Sequence, residues 1–408
     1  SCRALETLCA LYTLFTLETL RTLKTLHSVG ALEALEALEA LITLCALSTV
    51  SALEALEALI ALESLISLKT LKALIALGLD KSALRDAFEP DSHVVRNWKT
   101  GRAVSTTPLK GALHSRYGAG YYGFHRHDLH AALLEALPRE RIVLGAQCKS
   151  VETAGGRALL RFADGPSIEA DAIIGADGIH SVVRESLLGP ESPRFTDHIC
   201  WRGVVPTAKL PKNLLEPDMS AWFGPHSTFV TYYMRGGTLV NWAGFCEAGD
   251  WRQESWRVAG DKNEALKMYQ DWHPTTRILI ENTETLYKWA LYDREPLSRW
   301  TEGRVTLLGD AAHPMLPYLA QGAAMAAEDG IILTRALEMR DTIPEALDLY
   351  QRNRIDRTAK IVLQSSENRK LFHLGSVAAI RAAFAKRNEG DDRNKWLYSY
   401  NPLTVELT

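Results

Sequence analysis

Among its six cysteines (Cys2, Cys9, Cys45, Cys148, Cys200, Cys246) the chain has no CxxC pair, which argues against both a disulfide framework and a zinc site of ordinary spacing. No His/Cys/Asp cluster calls for any other metal. No apolar run reaches the roughly 18 residues that a spanning helix needs, and the first residues lack the basic-then-apolar layout of a secretory leader. Neither sign of charge dominates. With 46 Lys and Arg against 49 Asp and Glu, the formal net charge is −3, so nothing electrostatic favours nucleic acid or an anionic membrane as partner. What remains at 408 residues, 47% hydrophobic and 23% charged, is a globular, cytoplasmic and enzymatic chain of two or three domains.

The stretch from Arg3 to Leu77 lacks more: it has no Pro, Asp, Asn, Gln, Met or Trp, and Gly30 is its one glycine. It runs in triplets (RAL, ETL, CAL, YTL) whose third residue is Leu except at Val29 and Val50. A period of three walks leucines around an α-helix instead of along one face. On a strand it alternates faces, and 3₁₀-helices of this length are rare. Three readings stand: a repeat domain, an appended segment, or letters that do not report the true side chains. The third is the one we adopt, and no residue chemistry is drawn from 1–77.

From Gly78 onward the composition is ordinary. Leu129–Leu137 has helical apolar spacing behind Asp128. Ile142–Leu144, Ser150–Glu152, Ala158–Phe162, Ser167–Glu169 and Ala172–Gly175 read as short strands. Between about 190 and 285, runs such as Ser227–Met234 and Thr238–Phe245 predict a mostly antiparallel sheet. Arg304–Leu308 is a further buried strand, a helix is expected from about Gly322 to Leu337, and the tail from Ile343 to Phe384 reads as mainly helical. Two α/β stretches around a β-rich insert imply an α/β fold: a discontinuous nucleotide-binding, Rossmann-like domain with an inserted substrate domain and a helical C-terminal region. The expected divisions are 1–185 (nucleotide domain, first part), 186–285 (substrate domain), 286–340 (nucleotide domain, second part) and 341–408 (helical tail).

Three blocks carry chemistry. Gly303–Gly330 (GRVTLLGDAAHPMLPYLAQGAAMAAEDG) is a strand, an acidic turn, a proline-bearing loop and a small-residue helix start. An Asp at a parallel strand's carboxyl end can accept hydrogen bonds from ligand hydroxyls. Small residues at Gly322, Ala323 and Ala324 let a flat ligand approach the first N–H groups of a helix, whose partial positive charge favours an anion there. Ile174–Arg184 (IGADGIHSVVR) is another strand end, followed by Asp177 and Gly178, and Phe124–Leu129 (FHRHDL) places Arg126 at a helix start.

In this order the blocks resemble the single-component FAD-dependent aromatic hydroxylases, the group of salicylate, hydroxybenzoate and 6-hydroxynicotinate monooxygenases. The resemblance covers roughly 78–400, including Trp289–Trp300 (WALYDREPLSRW). It implies FAD as cofactor, NADH or NADPH and O2 as co-substrates, a small phenolic or hydroxypyridine carboxylate as substrate, and hydroxylation through a flavin C4a-hydroperoxide. Carried over by position, Asp310 matches the Asp that binds the ribityl chain. Gly322, Ala323 and Ala324 match the helix start at the pyrimidine edge, and Pro314 the proline beside the flavin face where oxygen reacts. Arg126 matches the Arg near the phosphate and ribityl region, Cys148 a strand residue lining the adenine, and Asp177 with Gly178 a motif supporting FAD and the nicotinamide donor. The family's GxGxxG turn and ribose-binding acid belong within about the first 40 residues. They are absent there, yet the stretch has about the length they would fill, so the backbone of 1–77 is expected to form that βαβ start.

On the substrate side, Tyr232 aligns with a substrate-contacting tyrosine and is assigned a catalytic and substrate role. Relatives often have a His four residues before it, where this chain has Thr228, and His226 is the nearby substitute. Tyr318 is expected to face the substrate ring. His180 and His313 are read as structural histidines, and Trp201, Arg202 and Gly203 as sheet packing. A homodimer is compatible with the family. Two alternatives stay open: a flavin epoxidase or hydroxylase of a non-phenolic ring, and a non-catalytic flavin-binding or interaction protein.

Overall fold

A computed structural model describes residues 14–15, 65–66, 74–75, 84–252, 259–376, 378–380, 382–383 and 395–408. Apart from those first short pieces, the βαβ start expected for 1–77 lies outside the described residues.

A four-stranded sheet runs in the order β1 (Leu14–Phe15), β9 (Ala172–Gly175), β16 (Val305–Leu307), β15 (Thr301–Glu302). β9 and β16 lie parallel, with Val305 opposite Ile173 and Leu307 opposite Gly175, although more than a hundred residues of chain separate them. Both are short apolar runs buried on both faces, as parallel strands between layers must be. Helices α6 (Gly322–Met339) and α7 (Ile343–Phe372) pack against them through Ile332, Leu333, Leu347 and Tyr350. A side meander of β6 (Cys148–Ala154), β7 (Arg157–Phe162) and β8 (Ile168–Ala170) joins the same core. Helix α3 (Val182–Leu188) follows β9 and packs on it through Val183.

The β-rich insert is a seven-stranded sheet ordered β14 (Leu286–Asp293), β10 (Arg194–Pro206), β13 (Leu239–Glu247), β12 (Ser227–Met234), β11 (Met219–Gly224), β3 (Ser92–Asn97), β4 (Ala103–Pro108). It is not confined to 186–285. β3 joins β11 in parallel from upstream and β14 pairs with β10 from downstream. Along β12 and β13 the side chains sort by period two. Val230, Tyr232, Met234, Ala243 and Phe245 line one face with Cys200 and Trp289, and Phe229, Val240 and Trp242 line the other. The second face is covered by α4 (Lys262–Met268) and α5 (Pro274–Glu281), which supply Ala265, Leu279 and Ile280. Over the first face come Leu316 and Tyr318, from the loop before α6, with Phe372 from the end of α7. That is the face toward the nucleotide half. Short α1 (Ala112–Tyr117) and, near the C-terminus, α8 (Lys395–Tyr398) complete the outer layer, and the pair β2 (Leu65–Ile66) and β5 (Tyr122–Gly123) leads into α2 (Arg126–Glu135). Asp128 of α2 accepts from two guanidinium nitrogens of Arg235, at the turn after β12, and so ties α2 to the sheet.

The mixed α/β class and the helical end are as expected. One strand is not. Ile142–Leu144 pairs with nothing among the described residues and leaves Val143 and Leu144 exposed, because a 3₁₀ turn at Arg139–Arg141 and Gly145 at φ 74° bracket it. An apolar triplet without a neighbouring strand has no ladder to join.

Trp242 shows how tightly the helix-covered face is filled. Its ring stacks on Phe229 at 5.0 Å and its Nε1 donates to Thr283 Oγ1 at 2.8 Å, fully buried. Trp242→Ala should cost about 3–5 kcal/mol through the cavity it leaves, read as a lower urea midpoint by circular dichroism.

Candidate active site

The site begins where β16 ends. Gly309 turns the chain at φ 60°, a conformation that disfavours any side chain, and its N–H donates to Asp329 Oδ2 at 3.0 Å. His313 Nε2 meets the same oxygen at 2.6 Å, and Arg354 Nε of α7 donates to Asp329 Oδ1 at 2.6 Å. Arg354 also bonds Glu328 Oε2 at 2.7 Å, and Arg357 reaches Glu328 with two nitrogens. Asp329, Glu328 and Arg354 are all fully buried. Burial alone would raise the Asp329 carboxyl, but His313, Arg354 and the Gly309 N–H hold it below the usual carboxylate range.

The second strand end is bolted to the first. Gly175 must be glycine because a Cβ there would meet Val183 Cβ at 2.6 Å and Leu307 at 2.9 Å. Asp177 Oδ2 accepts from the N–H groups of Val182 and Val183 at 2.7 and 3.2 Å, and its other oxygen accepts from Ser181 Oγ. Its carboxylate is thus spent on starting α3. Arg184, buried in α3, donates to the carbonyls of Ala311 and Ala312 at 3.3 and 3.4 Å and to Glu191 at 2.7 Å. Through Arg184 the IGADGIHSVVR block braces the GDAAHP turn.

Asp310 sits between these anchors and is engaged by none. Gly309 and Ala311 are buried while Asp310 is exposed, and no hydrogen bond reaches its carboxylate among the described residues. Protein nevertheless closes around it. That desolvation pushes its carboxyl up, against the opposing pull of His313 and Arg126. An accessible acid surrounded by protein describes the floor of a cleft. Arg126 opens α2, half-buried and without an ion pair among the described residues, yet its charge is felt at Asp310.

The start of α6 meets the same region. Its N-cap residue Gln321 makes no side-chain cap, Ala323 is exposed, and Gln321 Oε1 is buried without a hydrogen-bond partner among the described residues. A buried acceptor without a partner among the described residues and an accessible acid beside a helix start fit a ligand bearing hydroxyls and anionic groups. Pro314 is buried beside His313, and Cys148 lies in the nucleotide-half core at the start of β6.

Tyr232 and Tyr318 share one aromatic cluster with Phe245, Trp289 and Cys200. His226 does not join them. It occupies the β11–β12 turn at φ 56°, its imidazole exposed and held by Glu247 at 2.9 Å, and it meets the end of α7 through its backbone, the carbonyl lying 3.1 Å from His373 Nδ1. The histidine beside the tyrosines is His373, whose Nε2 lies 3.1 Å from Tyr318 Oη. Asp329, Arg354, Arg184 and His373 escaped the sequence reading. Adjacent acids in the otherwise apolar run AAMAAEDGIIL were a signal for the first; His373 gave none.

Fold and geometry together are those of a nucleotide-binding α/β protein. The FAD binding domain family matches residues 67–365, and the chain belongs to that family. It is 36% identical to a 3-amino-4-hydroxybenzoate 2-monooxygenase of Streptomyces platensis, over 81% of this chain and 84% of that protein. It is equally 36% identical to the 6-hydroxynicotinate 3-monooxygenase of Pseudomonas fluorescens (72% and 77%) and to the 3-hydroxybenzoate 6-hydroxylase of Polaromonas naphthalenivorans (80% and 83%). Among solved structures, a salicylate hydroxylase substrate complex superposes with TM-score 0.74 at 24% identity, covering 91% of this chain and 93% of that one. Klebsiella pneumoniae HpxO complexed with FAD and uric acid superposes with TM-score 0.75 at 21% identity (90% and 93%).

Because the Asp329 carboxyl is depressed in the fold, its contribution is full above the unfolded carboxylate range and is lost as pH falls through the folded value. Asp329→Asn, which leaves Arg354 half-paired, should cost about 3–5 kcal/mol at neutral pH and flatten the acid limb of a stability-versus-pH profile.

Proposed function

We propose that the chain is an FAD-dependent monooxygenase that hydroxylates a small phenolic or hydroxypyridine carboxylate with NADH or NADPH and O2. The observation that carries this reading is the juxtaposition of Asp310, unengaged among the described residues, and the α6 start with an aromatic cluster in the same loop. The shared chemistry of the relatives, all acting on hydroxylated aromatic acids, supports it.

When bound, FAD supplies the two-electron chemistry that lets O2 attack an aromatic ring. In this reading Asp310 accepts hydrogen bonds from cofactor hydroxyls, since its carboxylate has no competing donor among the described residues. Arg126 balances anionic charge nearby. The first N–H groups of α6, over Gly322, Ala323 and Ala324, favour negative charge on a flat ring laid against them, with Pro314 bordering that ring. Cys148 borders the adenine end. Asp177 and Gly178 act by position, through the α3 start and Arg184.

Tyr232 and Tyr318 face the substrate, and the apolar wall of Phe245, Trp289 and Leu316 excludes water from the reacting ring. A partner of Tyr318 holds its hydroxyl, and that hydroxyl meets the substrate phenol, assisting loss of the phenol proton. His226, exposed and paired with Glu247, is given no catalytic part.

Asp310→Ala should weaken FAD binding by roughly 10- to 100-fold, the worth of one or two hydrogen bonds to a charged group, in a fluorescence titration of apoprotein with FAD. Unchanged affinity would remove Asp310 from the site. With the holoenzyme, hydroxybenzoates or hydroxypyridine carboxylates should stimulate NADH or NADPH oxidation and yield a product heavier by one oxygen atom. Flavin retention without stimulation by any of them would leave a binding protein instead.

A further inference from the structure

We infer that Tyr318 and His373 make the pocket selective for a ring substituent that donates a hydrogen bond, a hydroxyl and not an ether or halogen. The inference rests on the aromatic-acid hydroxylase reading and deepens it by naming the polarity its substrate must present.

The argument starts from what fixes the His373 ring. It stands one residue past α7, where the chain is stitched to the β11–β12 hairpin: His226 N donates to Leu374 O at 3.2 Å, and Thr228 Oγ1 donates to Phe372 O at 2.7 Å. Between these bonds, His373 Nδ1 lies 3.1 Å from the His226 carbonyl. A carbonyl only accepts, so Nδ1 carries the hydrogen. In a neutral ring Nε2 is then a bare acceptor, and the group 3.1 Å from it is the Tyr318 hydroxyl. Tyr318 must therefore donate its one hydrogen to His373. What its oxygen has left for a third partner is lone pairs.

That polarity would reverse only if His373 took a second proton. Every element packed against the ring opposes it. Burial comes first, then the His198 ring of β10, centred 3.9 Å away, with Arg369 of α7 and His226 of the hairpin adding to it; only the hydrogen bond to the His226 carbonyl pulls the other way. Together they push the imidazole down to about 3. Glu247 is directed to the exposed His226 imidazole. The ring stays neutral through the range in which enzymes work.

Tyr318 is 5% exposed, and its ring lies 5.3 Å from Phe245 and 4.9 Å from Phe372, in the cluster that holds Tyr232. A substrate ring entering that cluster meets an oxygen that can only accept. A hydroxyl satisfies it; a methoxy or fluoro group sets acceptor against acceptor, and sites built around such a bond reject analogues that lack it. His373 touches no substrate and is a positioning residue.

The test measures dissociation constants on the FAD-loaded enzyme, by flavin absorbance change, for 2-, 3- and 4-hydroxybenzoate, the three methoxybenzoates and the three fluorobenzoates. The fluoro set controls for bulk. The best hydroxybenzoate should bind at least about tenfold tighter than its fluoro and methoxy counterparts, with a ratio constant from about pH 6 to 8. Tyr318→Phe should bring the fluoro ratio to within about threefold. His373→Leu should shrink it as well, chiefly by improving the ethers, because a released hydroxyl can turn and donate to them. His373→Gln, whose amide oxygen can accept from Tyr318, should restore it. A merely structural His373 would weaken all ligands together and leave the ratio in place. A wild-type ratio near one, or a ratio unmoved by Tyr318→Phe, overturns the inference and leaves the hydroxylase reading standing. A loaded enzyme that binds none of the nine ligands, and no hydroxypyridine carboxylate either, overturns both.

Discussion

The nucleotide half is organised around a buried ion pair, Asp329 with Arg354, at the junction of α6 and α7. Removing two charges from water is costly, and such a pair holds only when further hydrogen bonds offset that cost. Here Asp329 takes the Gly309 N–H, His313 and Arg354, while Arg354 also donates to Glu328 and the Met325 carbonyl. The arrangement fixes a strand-end turn against two helices at once. With Gly309 pinned by its N–H and Ala311 buried behind it, Asp310 is the residue of that turn left facing the cleft. Arg184 repeats the device from the other strand, clamping the carbonyls of Ala311 and Ala312. The site is presented by residues that themselves never face the ligand.

The seven-stranded sheet divides its labour by face. The helix-covered side is filled with tryptophan and tyrosine: Trp201, Trp242 and Tyr269 are fully buried there, and even a glycine Cβ at Gly244 would strike Tyr269. Nothing chemical is asked of it. The opposite face carries tyrosine beside small residues such as Ala221 and Ala243, and is covered by Leu316 and Tyr318 of the loop before α6, by Phe372 at the end of α7 and by the helical residue Ile380. Thr228 shows how the cover is attached, bonding the end of α7 to the hairpin.

Much of this was legible in the sequence because it follows from local rules. GDAAHP had to be a strand end and a turn, AIIG had to be a buried strand, and the period-two alternation of FVTYY separated Tyr232 from Phe229 before any coordinates. The family resemblance then supplied the cofactor. What stayed hidden depends on long-range pairing. Asp329 and Arg354 are 25 positions apart and on different helices, so neither residue announces the other. His373 ends a polar helix and looks like any solvated histidine; only the fold lays it on Tyr318, 55 positions upstream. His226 failed for the converse reason. Proximity in sequence to Tyr232 suggested a partner, but a hairpin turn points its side chain away from the sheet face. Ile142–Leu144 likewise carried strand-forming residues without a neighbour to pair with.

The two aspartates of the central block show how environment assigns roles that residue type cannot. Asp310 and Asp329 are the same side chain 19 positions apart, both ringed by protein. One is pushed up and the other held down. They differ in exposure and in partnership: Asp329 is fully buried with three donors, while Asp310 is exposed with none among the described residues. A carboxylate whose desolvation is fully offset by protein groups is complete as it stands, and substituting it damages the fold. One whose desolvation is not offset has unused capacity to bind, and the donors that would satisfy it must come from outside the described protein. An accessible acid with unused acceptor positions is the group that the proposed hydroxyl-bearing ligand would engage. The same test, asking of each polar group whether the protein has already satisfied it, also separates the Tyr318 oxygen, whose lone pairs the proposed substrate would meet, from the carboxylate of Asp177, spent on the start of α3.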